Sequence, residues 1–341
     1  MRVLIIGLGD AGYSMHLPVL TALRSVQVVG ACDLDAARRE PASRQHVADK
    51  FMDLSVVIAS IDAEHSIGAC VGQMQSACAG LRSELLVCDA SSDDTVARAG
   101  MLDNPVRLFR FPVGTLTPAL WAEGFRRASG RVVAFTTGHC LVSPTWARSM
   151  IDALDAGATG AGGPLVIAPG ARPLDWAVFY LRYSAFMPET IGSGPVDGEI
   201  AGDNAAYRRE ALDRHADSFA DGFWEVDFHR QIRREGGWLV AVPAATAAFG
   251  RSFPLRTIAA HRFAHGRQFG AGRVRGGIRA AWQIVLAAPA VPVVLAARAA
   301  RRVARTTTGR WRFIVALPWF LLLAGAWASG EAWGALRGSG Q

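Results

Sequence analysis

Apolar and polar positions alternate in blocks between residues 54 and 155, and the blocks have the lengths of strands and helices. Short apolar runs predict strands at 54–60, 84–89, 106–110 and 131–135. The longer stretches between and after these runs predict helices at 64–79, 94–100, 117–128 and 144–154. Strands that alternate with helices are typical of an α/β domain with a mixed, mostly parallel sheet, which we expect over residues 52–250.

Two segments near the carboxyl terminus, 281–297 and 313–329, contain about 17 uncharged residues each. That length is near the lower limit for crossing ~30 Å of hydrocarbon. Pro289 and Pro292 predict a kink or a re-entrant path in the first segment. We therefore predict a membrane-associated or transmembrane segment over 281–330, in which either the second segment alone spans or both form a hairpin. Two buried core helices are the alternative.

Arginine is concentrated in the same part of the chain, because the sequence between Gly236 and Gly330 has thirteen Arg and no Asp or Glu. This asymmetry predicts an anionic partner. The Arg clusters flank long apolar runs, so anionic membrane lipids fit them better than nucleic acid does, and 251–280 is predicted to be a basic juxtamembrane segment. The five cysteines include no C-x-x-C pair, which favours a reducing compartment. The expected location is the cytoplasmic (inner) membrane, with the α/β domain facing the cytoplasm.

The first forty residues have a different pattern. An apolar strand at 3–6 runs into the G-x-G-x-x-G motif of residues 7–12, a predicted helix follows, and a second strand at 26–32 ends at Asp33. This is the context of a dinucleotide-binding fingerprint, and the block resembles the amino terminus of the glucose–fructose oxidoreductase and inositol dehydrogenase family.

That pattern stops before a third strand, and half of a mononucleotide-binding fold cannot bury both faces of its sheet. We therefore interpret residues 1–51 as a truncated Rossmann-like βαβ fragment, or as sequence upstream of a start at Met52. The alternative is an NAD-dependent oxidoreductase that uses Gly7, Gly9, Gly12 and Asp33.

From residue 54 on, polar side chains follow the predicted strands. The sequence L-S-V-V-I-A-S-I-D at 54–62 contains Ser60 and Asp62, and L-L-V-C-D at 85–89 ends at Asp89. The sequence V-V-A-F-T-T-G-H-C at 132–140 contains Thr137, Gly138 and His139.

Two more motifs follow. The sequence G-D-N at 202–204 contains Asp203 and Asn204, and G-F-W-E-V-D-F-H-R at 222–230, in a predicted helix, contains Glu225, Asp227 and Arg230. With these motifs, residues 52–250 resemble a family 2 glycosyltransferase of the GT-A fold. The resemblance implies an inverting, hexosyltransferase-type enzyme that moves a sugar from a nucleotide-sugar donor to a lipid-linked or saccharide acceptor at the cytoplasmic membrane face.

The resemblance also implies roles for individual residues. Glu225 falls at the position of the catalytic base, which deprotonates the acceptor hydroxyl. Nucleotide-sugar binding is implied for Ser60, Asp62, Asp89, Thr137, Gly138 and His139. Contacts on the acceptor side are implied for Asp203, Asn204, Asp227 and Arg230.

One motif departs from the family, because Thr137 and His139 occupy the acidic positions of the metal-binding D-x-D sequence. The sequence therefore leaves two alternatives for a divalent cation, Mn²⁺ or Mg²⁺. Either His139 ligates the cation, or no cation is needed because His139 and nearby Arg neutralise the charge of the leaving diphosphate. The same departure motivates another interpretation, a weak or inactive relative that only binds nucleotide-sugar. His261 and His265, which lie outside the α/β domain, are interpreted as membrane-interface residues. Trp311, Trp319 and Trp327 are interpreted as membrane-boundary residues.

Overall fold

The chain is described from a computed structural model over residues 2–6, 27–32, 52–100, 106–250, 253–306 and 309–338. It forms two units, Met1–Met52 and Asp53–Gln341. In the first unit, β1 (Arg2–Ile6) and β2 (Gln27–Cys32) pair in parallel. The predicted glycine motif at 7–12 and Asp33 lie outside the described residues.

Strands and helices alternate in the first half of the second unit. Its described strands are β3 (Leu54–Ser60), β4 (Ser83–Asp89), β5 (Arg107–Arg110), β6 (Val132–Thr137), β7 (Cys140–Val142), β8 (Gly160–Gly162), β9 (Leu165–Ile167), β10 (Gly194–Val196), β11 (Asn204–Arg208), β12 (Leu239–Ala241) and β13 (Ala247–Phe249).

Its described α-helices are α1 (Ile67–Ala77), α2 (Thr95–Gly100), α3 (Thr117–Arg127), α4 (Trp146–Asp155), α5 (Pro173–Tyr183), α6 (Pro188–Ile191), α7 (Arg209–Arg214), α8 (Glu225–Arg234), α9 (Leu255–Arg275), α10 (Ala281–Ala287), α11 (Val291–Val303) and α12 (Gly309–Arg337). Short 3-10 helices cover Ala216–Phe219 and Ala288–Ala290. The strands and helices predicted over 54–155 are all present, with ends that differ by no more than three residues.

The main sheet has eight strands in the order β10-β12-β8-β11-β6-β3-β4-β5. The four strands β6, β3, β4 and β5 are parallel to one another, and β11 joins β6 in the antiparallel sense. The predicted mixed, mostly parallel sheet is confirmed. Because Ser60 is paired with Asp89 in the register of β3 and β4, the predicted polar residues at the ends of these strands lie along one edge.

The central strands are buried on both faces. In β3, Val56 and Ile58 contribute to one hydrophobic core, while Val57 and Ala59 contribute to the core on the opposite face. Successive side chains of a strand point to opposite faces, so a continuous apolar run is what a strand covered by helices on both sides requires. A second sheet of β7, β13 and β9 adjoins the end of β6.

Helix α9 packs closely against α12. A Cβ added to Gly266 would lie 2.2 Å from the carbonyl oxygen of Trp327, and one added to Gly270 would lie 2.1 Å from that of Glu331. Glycines therefore let the two helix backbones approach each other. Arg273 forms an ion pair with the buried Glu331 across the same contact.

Two stretches are long and apolar enough to span a membrane, Ala281–Val303 with a mean hydropathy of 1.7 and Gly309–Arg337 with 1.8. The first is interrupted by a 3-10 turn at Pro289, as its prolines predict. About two fifths of the apolar window in the second is buried within the protein, and Phe313 packs on Tyr180 of α5 with ring centroids 5.4 Å apart. The composition of these helices is weak evidence for membrane association, and α12 also stabilises the α/β domain.

Candidate active site

A cleft with a volume of about 500 Å³ opens at the carboxyl ends of β3 and β6. Open α/β sheets bind ligands at this edge, where loops after neighbouring strands converge. Six of the residues predicted to contact donor or acceptor line the cleft, namely Asp62, Thr137, His139, Asp203, Glu225 and Asp227.

The turn at Thr137–His139 is held tightly against the end of β3. The Gly138 N–H donates to the Ala59 carbonyl at 2.9 Å. A Cβ on Gly138 would lie 3.0 Å from Ser60 Oγ and 3.1 Å from the Ala63 Cβ, so the turn leaves little room for a side chain at this position. Gly138 and the buried Ser60 therefore lie behind the residues that line the cleft and are not lining residues themselves.

His139 has a defined orientation in this turn. Ser66 Oγ donates to the Gly138 carbonyl at 2.8 Å and lies 3.1 Å from His139 Nδ1. Because the hydroxyl proton is directed to the carbonyl, we assign the imidazole proton to Nδ1, which leaves the lone pair on Nε2. The ring packs edge-on against Phe249 and Phe253, with centroids 6.4 and 5.8 Å away.

The donor set at this turn does not fit a divalent cation of the Mg²⁺ or Mn²⁺ type. Such cations prefer oxygen ligands, and the turn supplies no carboxylate. Thr137 Oγ1 lies 3.4 Å from Cys140 Sγ, and both carboxylate oxygens of Asp203 accept hydrogen bonds from Arg182. In the described part of the chain, no group of three His, Cys, Asp or Glu side chains is placed to hold a metal ion.

Glu225 is the first residue of α8 and lines the cleft. Burial, with a smaller contribution from the charge of Asp203, raises the pKa of Glu225 to about 7, although Arg182 acts in the opposite direction. A carboxylate with this pKa is well suited to accept a proton near neutral pH.

Arg182 and Asp203 form the charged pair beside Glu225. Arg182 Nη2 donates to both oxygens of Asp203 at 2.9 Å, and its guanidinium carbon lies 4.8 Å from the centroid of the Tyr183 ring. Burial alone would lower the pKa of Arg182, but Asp203 holds it above its ordinary value. Arg182 is therefore held charged in the cleft wall, with Asp203 as its counter-ion. Nothing in the sequence motifs marked Arg182.

Helix α9 supplies another wall of the cleft. Ile258, Arg262, His265 and Phe269 line it, and their i, i+4, i+7, i+11 spacing places them on one helix face. Burial, and next to it the charge of Arg262, lowers the pKa of His265 to about 3, so this imidazole is neutral. We predicted a membrane-interface role for His261 and His265; the structure places both in the cleft wall. Their helical spacing was visible in the sequence, but the contact of α9 with the α/β domain was not.

Trp327 of α12 also lines the cleft, where its ring lies 5.5 Å from that of Phe269. The membrane-boundary interpretation of this tryptophan stays a prediction. Trp311 and Trp319 are exposed, as that interpretation requires.

Asp62 and Asp89, which are predicted to bind the nucleotide, are held by hydrogen bonds to neighbouring serines. Asp62, with a φ of 45°, accepts hydrogen bonds through Oδ1 from the N–H and the hydroxyl of Ser92. Asp89 is buried, and its carboxylate accepts from the N–H of Ser91 at 3.1 Å and from Ser91 Oγ at 2.6 Å. These bonds tie together the loops after β3 and β4. Asp62 reaches the cleft, whereas Asp89 lies behind its lining.

Asn204 and Arg230 are not brought into the cleft lining. Asn204 is fully buried: its Oδ1 accepts from Trp146 Nε1 at 2.6 Å, and its Nδ2 donates to the carbonyls of Pro164 and Ala245 at 3.1 and 2.9 Å. These bonds join the two sheets. Arg230 forms an ion pair with Asp227 at 3.0 Å on the exposed side of α8.

The mixed, mostly parallel sheet is consistent with a GT-A domain. Residues 55–216 match the family model described as Glycosyl transferase family 2. The match covers a little less than half of the chain, and a domain of this family implies a glycosyltransferase-type function, with a nucleotide-sugar donor and an acceptor. Glu225 lies nine residues beyond the matched segment.

Other comparisons add little. A solved structure titled "Crystal Structure of a Mycobacterial Protein" is similar over 63% of this chain and 72% of its own, with 18% identity and a TM-score of 0.43. No curated protein matches the sequence. The resemblance of the amino terminus to the oxidoreductase family is unsupported, because the family match begins at residue 55 and the glycine motif lies outside the described residues.

Proposed function

We propose that the protein is an inverting glycosyltransferase of the hexosyltransferase type, with Glu225 as its catalytic base. The observation that carries this proposal is the position of Glu225 in the cleft, beside the Arg182–Asp203 pair, with a pKa raised to about 7. A general base is most effective when its pKa is near the working pH. The family 2 domain supplies the context for this chemistry.

The reaction is a single displacement. The oxygen of an acceptor hydroxyl attacks the anomeric carbon of the donor, while its proton passes to the Glu225 carboxylate. The bond between the anomeric carbon and the diphosphate oxygen breaks, and its electron pair leaves with the nucleoside diphosphate. Attack from the face opposite the leaving group inverts the anomeric configuration.

The donor is proposed to lie along the edge formed by β3, β4 and β6. Ser60, Asp62 and Asp89 are on the nucleotide side, and the Thr137–His139 turn, including Gly138, is beside the diphosphate. Asp203 lies close enough to Glu225 for its charge to raise the pKa of that carboxyl. Asp227 and its partner Arg230 are at the acceptor-side rim, where the ion pair between them is solvent-exposed. Asn204 supports this region from the core and does not itself contact the acceptor.

The acceptor is proposed to be lipid-linked or a saccharide at the cytoplasmic face of the inner membrane. Leu295 of α11 and Trp327 of α12 line the cleft, so apolar carboxyl-terminal helices adjoin the site of transfer. Helices α10, α11 and α12 expose large apolar side chains, among them Trp282, Leu286, Val293, Trp311 and Ile314. Together with the Arg clusters, such a surface is typical of contact with anionic lipids.

The test is turnover by the purified full chain of UDP-, GDP- and dTDP-sugars, with lipid extract and saccharide acceptors present. We expect one donor to be consumed, with release of its nucleoside diphosphate. NMR of the product should show an anomeric configuration opposite to that of the donor. A product with retained configuration would contradict the proposed single displacement.

A second candidate function is binding of nucleotide-sugar without turnover. The replacement of both D-x-D acids by Thr137 and His139 favours it. Tight binding of one donor by the wild-type chain, with no release of nucleoside diphosphate under any acceptor condition, would select this alternative.

A further inference from the structure

Two arginines line the cleft that also contains the turn where the family motif would place a cation. The acids that would hold that cation are absent at Thr137 and His139, whereas Arg182 of α5 and Arg262 of α9 both line the cleft. These arginines come from two different helices, and the charge of Arg182 acts on Arg262. Positive charge in the cleft is therefore supplied by side chains of this chain.

Arg182 and His139 both lie near the same aromatic ring, that of Phe249. The Arg182 guanidinium carbon lies 5.9 Å from the centroid of the Phe249 ring, and the His139 ring centroid lies 6.4 Å from the same point. Arg182 is thus close to the turn that replaces the D-x-D motif. Its bonds to Asp203 fix the guanidinium in this position.

Arg262 differs from Arg182 because one of its buried side-chain nitrogens lacks a hydrogen-bond partner in the described part of the chain. Its Nε is buried, and among the described residues it has no hydrogen-bond partner. Burial, and after it the charge of Arg182, lowers the pKa of Arg262 to about 9, so the side chain is still charged at neutral pH. A buried guanidinium without a paired anion is costly, and an anionic ligand in the cleft removes that cost.

We propose that Arg262, together with Arg182, binds the diphosphate of the donor and neutralises the charge of the leaving group in place of a divalent cation. This inference rests on the proposed function and names the residues that replace the metal. Arginine suits the role because its planar guanidinium can donate two parallel hydrogen bonds to phosphate oxygens. As the bond to the anomeric carbon breaks, the electron pair remains on the diphosphate oxygen, where the two guanidinium groups stabilise it.

The experiment measures the affinity of the full chain for UDP, GDP and dTDP, and for the corresponding monophosphates, by calorimetry in EDTA and in Mn²⁺. The variants are Arg262→Gln, Arg262→Lys and the control Arg256→Gln. Arg256 lies on the same helix and is exposed, so its substitution removes one charge from α9 outside the cleft. Circular dichroism establishes that each variant is folded.

We expect the wild-type chain to bind one diphosphate with a Kd in EDTA within about two-fold of that in Mn²⁺. Arg262→Gln should weaken diphosphate binding about 10-fold to 100-fold, the effect of losing charge-assisted hydrogen bonds, and should affect the monophosphate less. Arg262→Lys should recover part of this loss, and Arg256→Gln should bind like the wild type.

Loss of more than about ten-fold in wild-type affinity on adding EDTA would overturn the inference while leaving the proposed function in place. An Arg262→Gln variant that retains the full preference for diphosphate over monophosphate would also overturn the inference and leave the proposed function in place. If the wild-type chain binds none of the three nucleotides in either condition, the proposed function fails together with this inference.

Discussion

Gly202 faces Glu225 so closely that a Cβ added to Gly202 would lie 3.3 Å from the carboxyl carbon of Glu225. The same Cβ would lie 2.9 Å from the ring of Trp121, which is itself buried in the core. The absence of a side chain at Gly202 therefore lets the loop before β11 approach the first turn of α8. This approach brings Asp203 and Glu225 to the same part of the cleft.

We predict that Gly202→Ala lowers kcat about ten-fold or more, because displacement of a catalytic group by about 1 Å can cost up to 10²-fold in rate. The added methyl group should also reduce the free energy of unfolding by roughly 1–3 kcal/mol, as overpacking does. Steady-state kinetics and thermal unfolding measure both effects. The control is Gly198→Ala, where the added Cβ would have no neighbour within 4 Å. Wild-type kinetics in Gly202→Ala would contradict this account of the site.

The pH profile of transfer should report the ionisation of Glu225. Because the carboxylate is the active form and its pKa is raised to about 7, kcat/KM should fall about ten-fold per pH unit below that value. The folded-state pKa exceeds the ordinary value of 4.5, so the stability contributed by the protonated carboxyl is fully present below about pH 4.5. It is lost as the pH rises through 7. A rate that is independent of pH between 5 and 8 would exclude Glu225 as the base.

Asn204→Ala should destabilise the protein without a specific effect on the KM for the acceptor. The substitution leaves the Trp146 N–H and the Ala245 carbonyl buried without their partner, while the Pro164 carbonyl keeps the Ala247 N–H; the loss should cost roughly 3 kcal/mol. Thr145→Ala is the control, since it removes a solvent-exposed hydrogen bond to the neighbouring Ala244 carbonyl and should cost less than about 1 kcal/mol. Chemical unfolding measures both. If Asn204→Ala instead keeps its stability and raises the acceptor KM, the role implied by the resemblance is the correct one.

The contact of α9 with α12 predicts opposite effects for two glycines on one helix. Gly270→Ala would place a Cβ 2.1 Å from the Glu331 carbonyl oxygen and should lower the melting temperature by several degrees. Gly272→Ala meets no atom within 4 Å and should stabilise α9 by about 0.5–1 kcal/mol. Thermal unfolding of the full chain in detergent distinguishes them. Equal melting temperatures would show that the helices do not pack as described.

The α/β domain could be predicted from the sequence because its strands and helices have local patterns of apolar and polar residues. The run at Leu54–Ser60 is apolar throughout since both faces of β3 are covered, and that pattern needs no tertiary information. Glu225 and His139 were singled out by the resemblance to the family; they lie at the start of a helix and in the turn after a strand. Six predicted site residues are brought to one cleft by the convergence of strand ends.

The remaining features depend on long-range contacts. Arg182 and Arg262 occupy ordinary helical sequences, and only the packing of α5 and α9 around the cleft brings their charges together. Asn204 adjoins Asp203 in sequence, but adjacent residues of a strand end point in different directions, so one lines the cleft and the other joins two sheets. The basic segment around His265 was interpreted from composition, which does not show which face of α9 contacts the domain.

The most direct test of the central claim compares the initial rate of nucleoside diphosphate release by the wild-type chain with that of Glu225→Gln, at saturating donor and acceptor. Glu210→Gln is the matched control, because that side chain is two-thirds exposed and lies on α7. We predict a loss of about 10²–10⁴-fold in Glu225→Gln, with nucleotide affinity within about two-fold of wild type, and no change in Glu210→Gln. A Glu225→Gln variant that transfers sugar at the wild-type rate would contradict the assignment of Glu225 as the catalytic base.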